Sequence, residues 1–454
     1  MSTEGTWFLP AEFEARAASG LSPLFIAELA AKLWAARRRS LAGRPVAEIV
    51  ELIDAAVGSW LAPDSPWMAE ACQRISAGTP YCEAMVRTGL TRLLAGCRKE
   101  QMIELLTEEL GDAEVLDGFR PRRAARGRHR AVGPGLVAYV FSGNVPGLPA
   151  IGMIQALLVK SACLGKPASE EPVFPALFAR SLAALDPTIA SAIAIVPWTG
   201  GDRAIEDAVF GVSDAVVVYG SDTAVASLRA RAPATARFVG HGHKMSFAVI
   251  GREALMLESV DALADRLAYD VSLFDQQGCV SAHLVYVERG GGVSPEGFAE
   301  RLAVAMASFE QAMPRGRVTI EEAAAIQQAR TAAEMQELRG EPGRLFASQG
   351  GTAWTVIYDE SPAFAPSCLN RVVRVKAVRD VGELPSLLKP ASRYLQTVGV
   401  AMDDLRRDRL AEALARLGVC RISAIGSMPH PPLAWHHDGG STLLPLLRWV
   451  GIDG

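Results

Sequence analysis

The sequence predicts an α/β protein with two doubly wound domains and an additional helical region at its N-terminus. The chain has 454 residues, more than one simple core accommodates, so two or three domains are expected. Half of the residues are hydrophobic and 21% are charged, as in a well-packed globular protein. From residue 136 onward, apolar runs of strand length alternate with helix-like segments, which indicates parallel sheets covered by helices.

The first predicted region, residues 1–115, is mainly helical. Apolar residues recur at three- and four-residue spacing in three segments, Pro23 to Arg39, Ala47 to Trp60 and Tyr81 to Leu110. Ser22 suits the start of the first helix, because its hydroxyl can cap the backbone while the following proline occupies the first turn. Residues 112–133 are turn-rich and basic, and we interpret them as a linker.

The second predicted region comprises residues 116–249 and part of 427–454. Leu136 to Phe141 is an apolar strand, and the turn Ser142 to Gly147 after it can open a helix that continues to Val159. Further strand-like runs follow at Ala192 to Pro197 and Asp214 to Tyr219. Sheets of this kind bind ligands at the carboxyl ends of their strands, where turns lead into helices.

The third predicted region, residues 250–426, again alternates helices and strands. The expected helices are Leu255 to Phe274, Pro295 to Met313 and Ala411 to Leu417. The expected strands are the run after Cys279, Ala353 to Tyr358, Arg371 to Val378 and Val419 to Ile425.

Composition argues against several functional classes. The net charge of −4 provides no basis for binding nucleic acid. The seven cysteines lack the spacing of a disulfide framework or a zinc site, which suits a reducing compartment. The first five residues lack the basic and apolar regions of a signal peptide, and the longest apolar stretch, Leu148 to Val159, is well short of the roughly 20 residues that span a bilayer. We therefore expect a cytoplasmic protein without membrane insertion.

Cys279 is the leading candidate for a catalytic nucleophile. It follows a polar, turn-prone run, is preceded by Gly278, and leads into the apolar strand-like segment Leu284 to Val287. A thiol at such a junction is accessible to a substrate carbonyl, and thiolates carry acyl groups well. An isolated cysteine is more often an inert packed residue, and that alternative remains at this point.

Three turns at predicted strand ends carry polar candidates. Asn144 can donate a hydrogen bond to an oxyanion, although it can equally cap the next helix. Lys166 and Ser169 follow a short apolar run and can bind a ribose or its phosphate, or form an ordinary turn. Gly220 and Ser221 close another strand where backbone N–H groups would suit a pyrophosphate, but the motif is weak by itself.

Taken in chain order, these segments resemble the aldehyde dehydrogenase superfamily, and more narrowly its LuxC-type acyl-CoA reductase (long-chain acyl-protein thioester reductase) branch. The resemblance extends from about Leu136 to Val450. It is carried by Gly143-Asn144-Val145-Pro146, Gly242-His243-Lys244-Met245-Ser246-Phe247, Asp275-Gln276-Gln277-Gly278-Cys279 and Trp435-His436-His437-Asp438-Gly439. It implies an aldehyde-dehydrogenase-like fold in which residues 116–249 with part of 427–454 bind the dinucleotide and residues 250–426 form the catalytic domain.

The resemblance also implies a role for each candidate residue. Cys279 matches the nucleophile, and Asn144 matches the asparagine that forms the oxyanion hole together with the Cys279 backbone N–H. Lys166 matches the lysine that binds the adenosine ribose, and Gly220 with Ser221 matches the turn near the pyrophosphate.

Three positions depart from the pattern of aldehyde-oxidising relatives. Gly240 stands four residues before Lys244, where those relatives carry the glutamate that activates water, so an acyl-enzyme should persist for reduction. Ser169 stands where NAD-preferring relatives often have glutamate, so we expect NADPH, with NADH possible. Residues 367–371 lack the glutamate that holds the nicotinamide ribose.

The remaining histidines have alternative interpretations. His241 and His243 can assist proton transfer, but a structural turn is the preferred interpretation. His436, His437 and Asp438 are not expected to bind metal, because no third ligand group is spaced to complete a site.

The expected activity is reduction of an acyl thioester, either acyl-CoA or an acylated carrier or partner protein, to an aldehyde. Two alternatives remain: an acyl-phosphate reductase on the same fold, and an acyl-carrying subunit without redox activity. A homo-oligomer is expected, while the acyl chain length and the number of subunits stay open.

Overall fold

The computed structural model describes residues 5–122 and 126–453 of the chain. It forms two compact units: unit 1 comprises Met1–Gly78, Val86–Gly242 and Pro432–Gly454, and unit 2 comprises Thr79–Met85 and His243–Pro431. Residues 1–4, on which the expectation of no signal peptide partly depends, lie outside the described residues. No helix in the described ranges is both long enough and apolar enough to cross a membrane.

The helices account for most of the regular structure. In chain order they are α1 (Ala11–Ala18), α2 (Pro23–Ser40), α3 (Val46–Leu61), α4 (Pro66–Gly78), α5 (Glu83–Ala95), α6 (Lys99–Leu110), α7 (Leu148–Leu158), α8 (Val173–Leu185), α9 (Pro187–Ala190), α10 (Arg203–Gly211), α11 (Asp222–Arg231), α12 (Val260–Ser272), α13 (Pro295–Ala312), α14 (Ile320–Leu338), α15 (Leu384–Leu388) and α16 (Asp404–Ala415).

The strands form three sheets. They are β1 (Arg120–Pro121), β2 (Arg128–Val132), β3 (Leu136–Val140), β4 (Ala162–Lys166), β5 (Ile193–Ile195), β6 (Ala215–Tyr219), β7 (Arg237–His241), β8 (Met245–Ile250), β9 (Ala282–Glu288), β10 (Gly343–Ala347), β11 (Thr355–Asp359), β12 (Val372–Val378), β13 (Leu395–Ala401), β14 (Arg421–Ala424) and β15 (Arg448–Ile452).

Unit 1 is built on a five-stranded parallel sheet in the order β5-β4-β3-β6-β7. Helices α7, α8, α10 and α11 follow β3, β4, β5 and β6 in the chain, as in a doubly wound sheet. A separate three-stranded antiparallel sheet has the order β1-β2-β15. The turns that carry the candidate residues of unit 1 therefore follow neighbouring parallel strands.

Unit 2 is built on a seven-stranded sheet in the order β10-β11-β12-β9-β8-β13-β14, in which only the β10–β11 pair is antiparallel. Alternate residues of β8 and β9 are buried in two different apolar cores. Helices α12 and α13 contribute to the first core, and α15 and α16 contribute to the second. Burial on both faces explains why these strands are continuously apolar.

The predicted fold class is confirmed: each unit contains a predominantly parallel sheet with connecting helices, and the first ~115 residues are mainly helical. Ser22 caps α2, with its hydroxyl 3.1 Å from the Phe25 backbone nitrogen. The segment from Tyr81 to Leu110, expected to be helical, contains two helices, α5 and α6. The boundary between the units differs from the expected division after residue 249, because β8 pairs with β9 and β13 of unit 2.

The interpretation of residues 112–133 as a linker is wrong. Arg128–Val132 forms β2, whose residues pair with β15, as in the register of Arg130 with Val450. The sequence did not show this because the partner strand lies more than 300 positions later in the chain. Residues 123–125 of this segment lie outside the described residues.

Candidate active site

Cys279 lies in unit 2, in a turn between a short 3-10 segment (Leu273–Gln276) and β9. Its side chain is free of disulfides, and the residue is half-buried. The backbone carbonyl of Cys279 accepts a hydrogen bond of 2.8 Å from the Ser246 hydroxyl. That hydroxyl also accepts a 3.1 Å hydrogen bond from the Thr397 backbone N–H. The nucleophile candidate is thus anchored through its main chain to two central strands, β8 and β13.

Ser246 was not identified as functional from the sequence, although it belongs to the Gly242–Phe247 motif. It is 1% exposed, and its hydroxyl donates one bond and accepts another. Ser246 lies within β8, and its place in the Gly242–Phe247 motif was the signal that the sequence offered. The structure therefore explains part of this motif as an anchor for the Cys279 turn.

Asn144 lies in the turn between β3 and α7 of unit 1, as expected. The turn makes a close approach to the segment after β4, because a Cβ built on Gly143 would lie 2.8 Å from the Ala168 Cβ. Gly147, which precedes α7, has φ +101°, a conformation that favours glycine. The glycines thus allow the Asn144 turn to lie against the segment that carries Lys166.

Lys166 is the last residue of β4, and it is 8% exposed. Its Nζ lies 5.8 Å from the ring centroid of Trp198, which follows β5. Burial lowers the pKa of the Lys166 ammonium, an effect that nearby Glu170 and Glu206 partly offset. Ser169, by contrast, is exposed.

Trp198 is a second candidate binding residue that the sequence did not indicate. It is 8% exposed, and no residue in the described part of the chain accepts a hydrogen bond from its buried Nε1. A buried indole N–H usually has a partner. A donor without a protein acceptor beside a buried cation is consistent with a ligand oxygen at this place.

The Gly220–Ser221 turn follows β6 and is exposed. The Ser221 hydroxyl caps α11 by accepting a 3.2 Å hydrogen bond from the Ala224 N–H. The Gly220 N–H donates to the His241 carbonyl at 3.1 Å, so it already belongs to the sheet. Any anion at this turn must therefore be bound by other donors near the start of α11.

Gly240 lies within β7, a strand whose residues are all partly buried. A Cβ built there would lie 2.5 Å from the Val225 Cγ1 and 3.0 Å from the Phe238 Cε1. These distances are far shorter than ordinary contacts, so no side chain fits without movement of its neighbours. Gly240 therefore provides no general-base carboxylate, and a side chain at this position would require Val225 to move.

An aromatic stack stands at the end of β6 and β7. The ring centroid of His241 lies 4.7 Å from that of Tyr219 and 4.3 Å from that of His437, with interplanar angles of 14° and 10°. Asp438 accepts a 2.8 Å hydrogen bond from the Nδ1 of His241. His241 therefore has a carboxylate partner, which fixes the orientation of its ring.

A third ligand group does accompany His437 and Asp438, contrary to the expectation from the sequence, because β7 brings His241 next to them. Candidate ligand atoms of the three residues all lie within 4.8 Å of one another. A metal lies about 2.0–2.1 Å from a coordinating histidine nitrogen and in the plane of its ring. Two rings stacked almost in parallel at 4.3 Å cannot both direct a nitrogen at one ion. This arrangement therefore lacks the geometry of a metal centre.

The structure brings the unit 1 candidates to one edge of a sheet. Strands β4, β3 and β6 are adjacent and parallel, so their carboxyl ends share that edge. Asn144 follows β3, Lys166 ends β4, and Gly220 with Ser221 follows β6. Such an edge is where doubly wound sheets bind ligands. Cys279 belongs to unit 2 and has its own anchoring contacts.

Comparisons with known proteins relate the chain to a family of reductases. The family model described as acyl-CoA reductase (LuxC) matches residues 41–449. The chain is 25% identical over 360 residues to the long-chain acyl-protein thioester reductase of Aliivibrio fischeri, covering 79% of this chain and 71% of that protein. It is 22% identical over 367 residues to long-chain acyl-protein thioester reductase 2 of Photobacterium leiognathi, covering 79% and 72% respectively.

Similar solved structures are aldehyde dehydrogenases. Aldehyde dehydrogenase 21 from Physcomitrella patens, in complex with its reaction product succinate, has a TM-score of 0.73 at 15% identity, covering 95% of this chain and 90% of that one. An NAD-dependent benzaldehyde dehydrogenase from Corynebacterium glutamicum has a TM-score of 0.68 at 18% identity, covering 95% and 91%. At these identities the likeness shows the fold, and it confirms the aldehyde-dehydrogenase-like architecture expected from the sequence.

Proposed function

This chain belongs to the acyl-CoA reductase (LuxC) family and is an oxidoreductase acting on acyl thioesters; we propose that it forms an aldehyde through an acyl group carried on Cys279. The match from residue 41 to 449 confirms the resemblance found in the motifs. It also extends the resemblance into the helical region, where no motif was available.

Cys279 forms the thioester in this proposal. Its sulfur attacks the acyl carbonyl, the C–S bond of the donor breaks, and the donor leaves as a thiol or thiolate. The turn conformation, the half-buried side chain and the anchored main-chain carbonyl support this role. A nucleophile with a fixed main chain can hold the geometry that attack requires.

The packing of Gly240 is the observation that most favours reduction over hydrolysis. Oxidising relatives release their product with water activated by a glutamate, whereas Gly240 has no carboxylate and its Cβ position is occupied by the Val225 side chain. An acyl group on Cys279 consequently lacks that route to a free acid. Its lifetime then suits transfer of a hydride.

Asn144 is proposed to stabilise the oxyanion of the tetrahedral states, together with the backbone N–H of Cys279. The asparagine side-chain amide is a suitable donor, and its turn is held by the close approach of Gly143 to Ala168. Such a donor is typically worth on the order of 10²–10³ in rate.

The cofactor is proposed to be NADPH, with NADH as the alternative, bound by Lys166 and Ser169. Its pyrophosphate is proposed to approach the Gly220–Ser221 turn, where donors near the start of α11 other than the Gly220 N–H would bind it. The buried Lys166 ammonium and the Trp198 N–H without a protein acceptor fit a ligand that brings oxygen atoms to the end of β4. Ser169 is exposed and carries no charge to repel a 2′-phosphate. A nicotinamide bound there would supply the hydride.

The acyl donor is proposed to be acyl-CoA or an acylated carrier or partner protein. The named relatives from Aliivibrio fischeri and Photobacterium leiognathi are acyl-protein thioester reductases, which supports a protein-bound donor. The absence of disulfides among the described cysteines is compatible with a cytoplasmic location. A homo-oligomer is proposed on the general grounds that symmetric assemblies are common among soluble enzymes.

The test is oxidation of NADPH in the presence of short-, medium- and long-chain acyl-CoAs. Wild-type protein should consume NADPH and release aldehyde and CoA in equal amounts, and Cys279→Ala should abolish both. Cys420→Ala is a matched control, because Cys420 is another half-buried thiol of unit 2. Aldehyde formation undiminished in Cys279→Ala would refute the mechanism. Acyl phosphate offered in place of acyl-CoA tests the rival substrate.

A further inference from the structure

The turn before Cys279 has an unusual backbone. Phe274, Asp275 and Gln276 have φ values of +50°, +52° and +68°, the left-handed region that residues other than glycine rarely occupy. Such a conformation is strained for these residues, and it persists only where the surrounding structure imposes it. All three are at least 95% buried. Contacts with neighbouring residues must therefore stabilise the left-handed backbone of this turn.

A second left-handed run lies at 369–371, just before β12. Leu369, Asn370 and Arg371 have φ values of +66°, +57° and +62°. This is the segment in which the sequence lacks the glutamate of aldehyde-oxidising relatives. The absence of that glutamate does not explain why the backbone of residues 369–371 is left-handed.

Three successive side-chain contacts join these two runs, with the residue directly after each run taking part. Asp275 accepts a 2.8 Å hydrogen bond from the Arg371 Nε. The Gln276 side chain donates to the Val372 carbonyl at 3.0 Å and accepts from the Val372 N–H at 3.1 Å. Gln277 donates to the Asn370 side-chain oxygen at 3.2 Å. Each residue of the segment 275–277 is therefore tied to one residue of 370–372.

Arg371 extends these links to a third element. Its side chain is fully buried, and it also donates to Glu310 at 2.6 Å and to the Met313 carbonyl at 2.9 Å, at the end of α13. The second oxygen of Asp275 accepts a 3.1 Å hydrogen bond from the Gly316 N–H. Breaking a buried ion pair by removing one partner is strongly destabilising, because the other charge is left uncompensated.

We propose that Asp275 and Arg371 are positioning residues for Cys279, and that their buried ion pair locks the left-handed turn that presents the thiol. Asp275 stands four residues before Cys279, so relaxation of the turn would move the chain that leads directly to the sulfur. This inference rests on the proposed role of Cys279 as acyl carrier. Misplacement of a reacting group by about 1 Å can cost on the order of 10²-fold in rate.

The experiment compares Asp275→Asn with a matched control, Glu288→Gln. Glu288 is the last residue of β9, at the opposite end of the strand that follows Cys279, and its buried carboxylate pairs with Arg406 and Arg252. Both variants keep the shape of the side chain and remove the charge of a buried ion pair in unit 2. The measurement is release of CoA thiol in the first turnover, without NADPH, over a range of acyl-CoA concentrations.

Asp275→Asn should lower the maximal rate of acylation by about 10- to 100-fold, with little change in the half-saturating acyl-CoA concentration. The pH profile of Cys279 alkylation by iodoacetamide, a small reagent that needs no precise alignment, should stay as in the wild type. Glu288→Gln should lower the denaturation midpoint while acylating at the wild-type maximal rate. If the loss of a buried ion pair slows acylation only by destabilising unit 2, both variants should be slowed alike.

A wild-type maximal rate in Asp275→Asn, or an equal slowing in Glu288→Gln, overturns the proposal. If Asp275→Asn does not fold, Arg371→Lys provides the test, because it keeps the buried positive charge but removes the guanidinium nitrogens that bind Asp275. That variant should acylate more slowly, and an unchanged rate overturns the proposal as well. A wild-type protein that releases no CoA thiol instead refutes the acyl-carrier role itself.

Discussion

Glu171 provides a quantitative test of the structure around the β4 turn. This residue is 2% exposed, and burial raises the pKa of its carboxyl to about 7 from the ordinary value of 4.5. Its Oε1 accepts hydrogen bonds from the backbone N–H groups of Val173 (3.0 Å) and Phe174 (2.8 Å), at the start of α8. These bonds lower the pKa but do not outweigh the loss of hydration.

The sign follows from proton linkage. Below pH 4.5 the Glu171 carboxyl is protonated in the folded and the unfolded chain, so it contributes no pH dependence. Between pH 4.5 and about 7 the unfolded chain loses this proton first, so the free energy of unfolding falls as the pH rises. The pKa difference of about 2.5 corresponds to about 3 kcal/mol, fully lost above pH 7.

Glu171→Gln should remove this loss, because glutamine keeps an oxygen for the two N–H donors and never ionises. Chemical denaturation between pH 5 and pH 8, followed by tryptophan fluorescence, should show that the stability of the variant falls by about 2.5 kcal/mol less than that of the wild type, because part of the loss has already occurred at pH 5. Glu170→Gln is the control, because it removes the same charge from the exposed neighbouring position. The reasoning fails if Glu171→Gln follows the wild-type pH dependence, or if Glu170→Gln abolishes it equally.

Three further predictions concern the chemistry directly. Asn144→Ala should slow acylation by on the order of 10²–10³ because an oxyanion donor is lost, and a normal first-turnover rate would remove Asn144 from this role. Gly240→Ala should destabilise unit 1 by about 1–3 kcal/mol, because the new Cβ would clash with Val225. Adding Val225→Ala should restore the melting temperature, and an unaltered melting temperature in the single variant would contradict the clash. Ser246→Ala should lower the free energy of unfolding by about 1–3 kcal/mol and slow acylation, because the Cys279 carbonyl loses its serine donor. Wild-type acylation kinetics in this variant would show that the hydrogen bond is dispensable.

Local patterns in the sequence were sufficient for many individual elements. The expected helix Pro23 to Arg39 is α2 (Pro23–Ser40), and the expected strand Asp214 to Tyr219 is β6 (Ala215–Tyr219). Both depend on the spacing of nearby apolar residues, which a sequence displays directly. The strand β2 was missed because its short basic segment is stabilised by pairing with β15 and has no apolar periodicity of its own.

The sequence alone determined the fold class, the family resemblance and Cys279 as the nucleophile candidate, because each of these depends on residues that are neighbours in the chain. Only the tertiary structure decided that Val225 fills the space above Gly240, that Asp438 reaches His241 across 197 positions, and that Arg371 reaches Asp275 across 96. These contacts are set by the order and register of strands, and no pattern of adjacent residues encodes which side chains a sheet brings together.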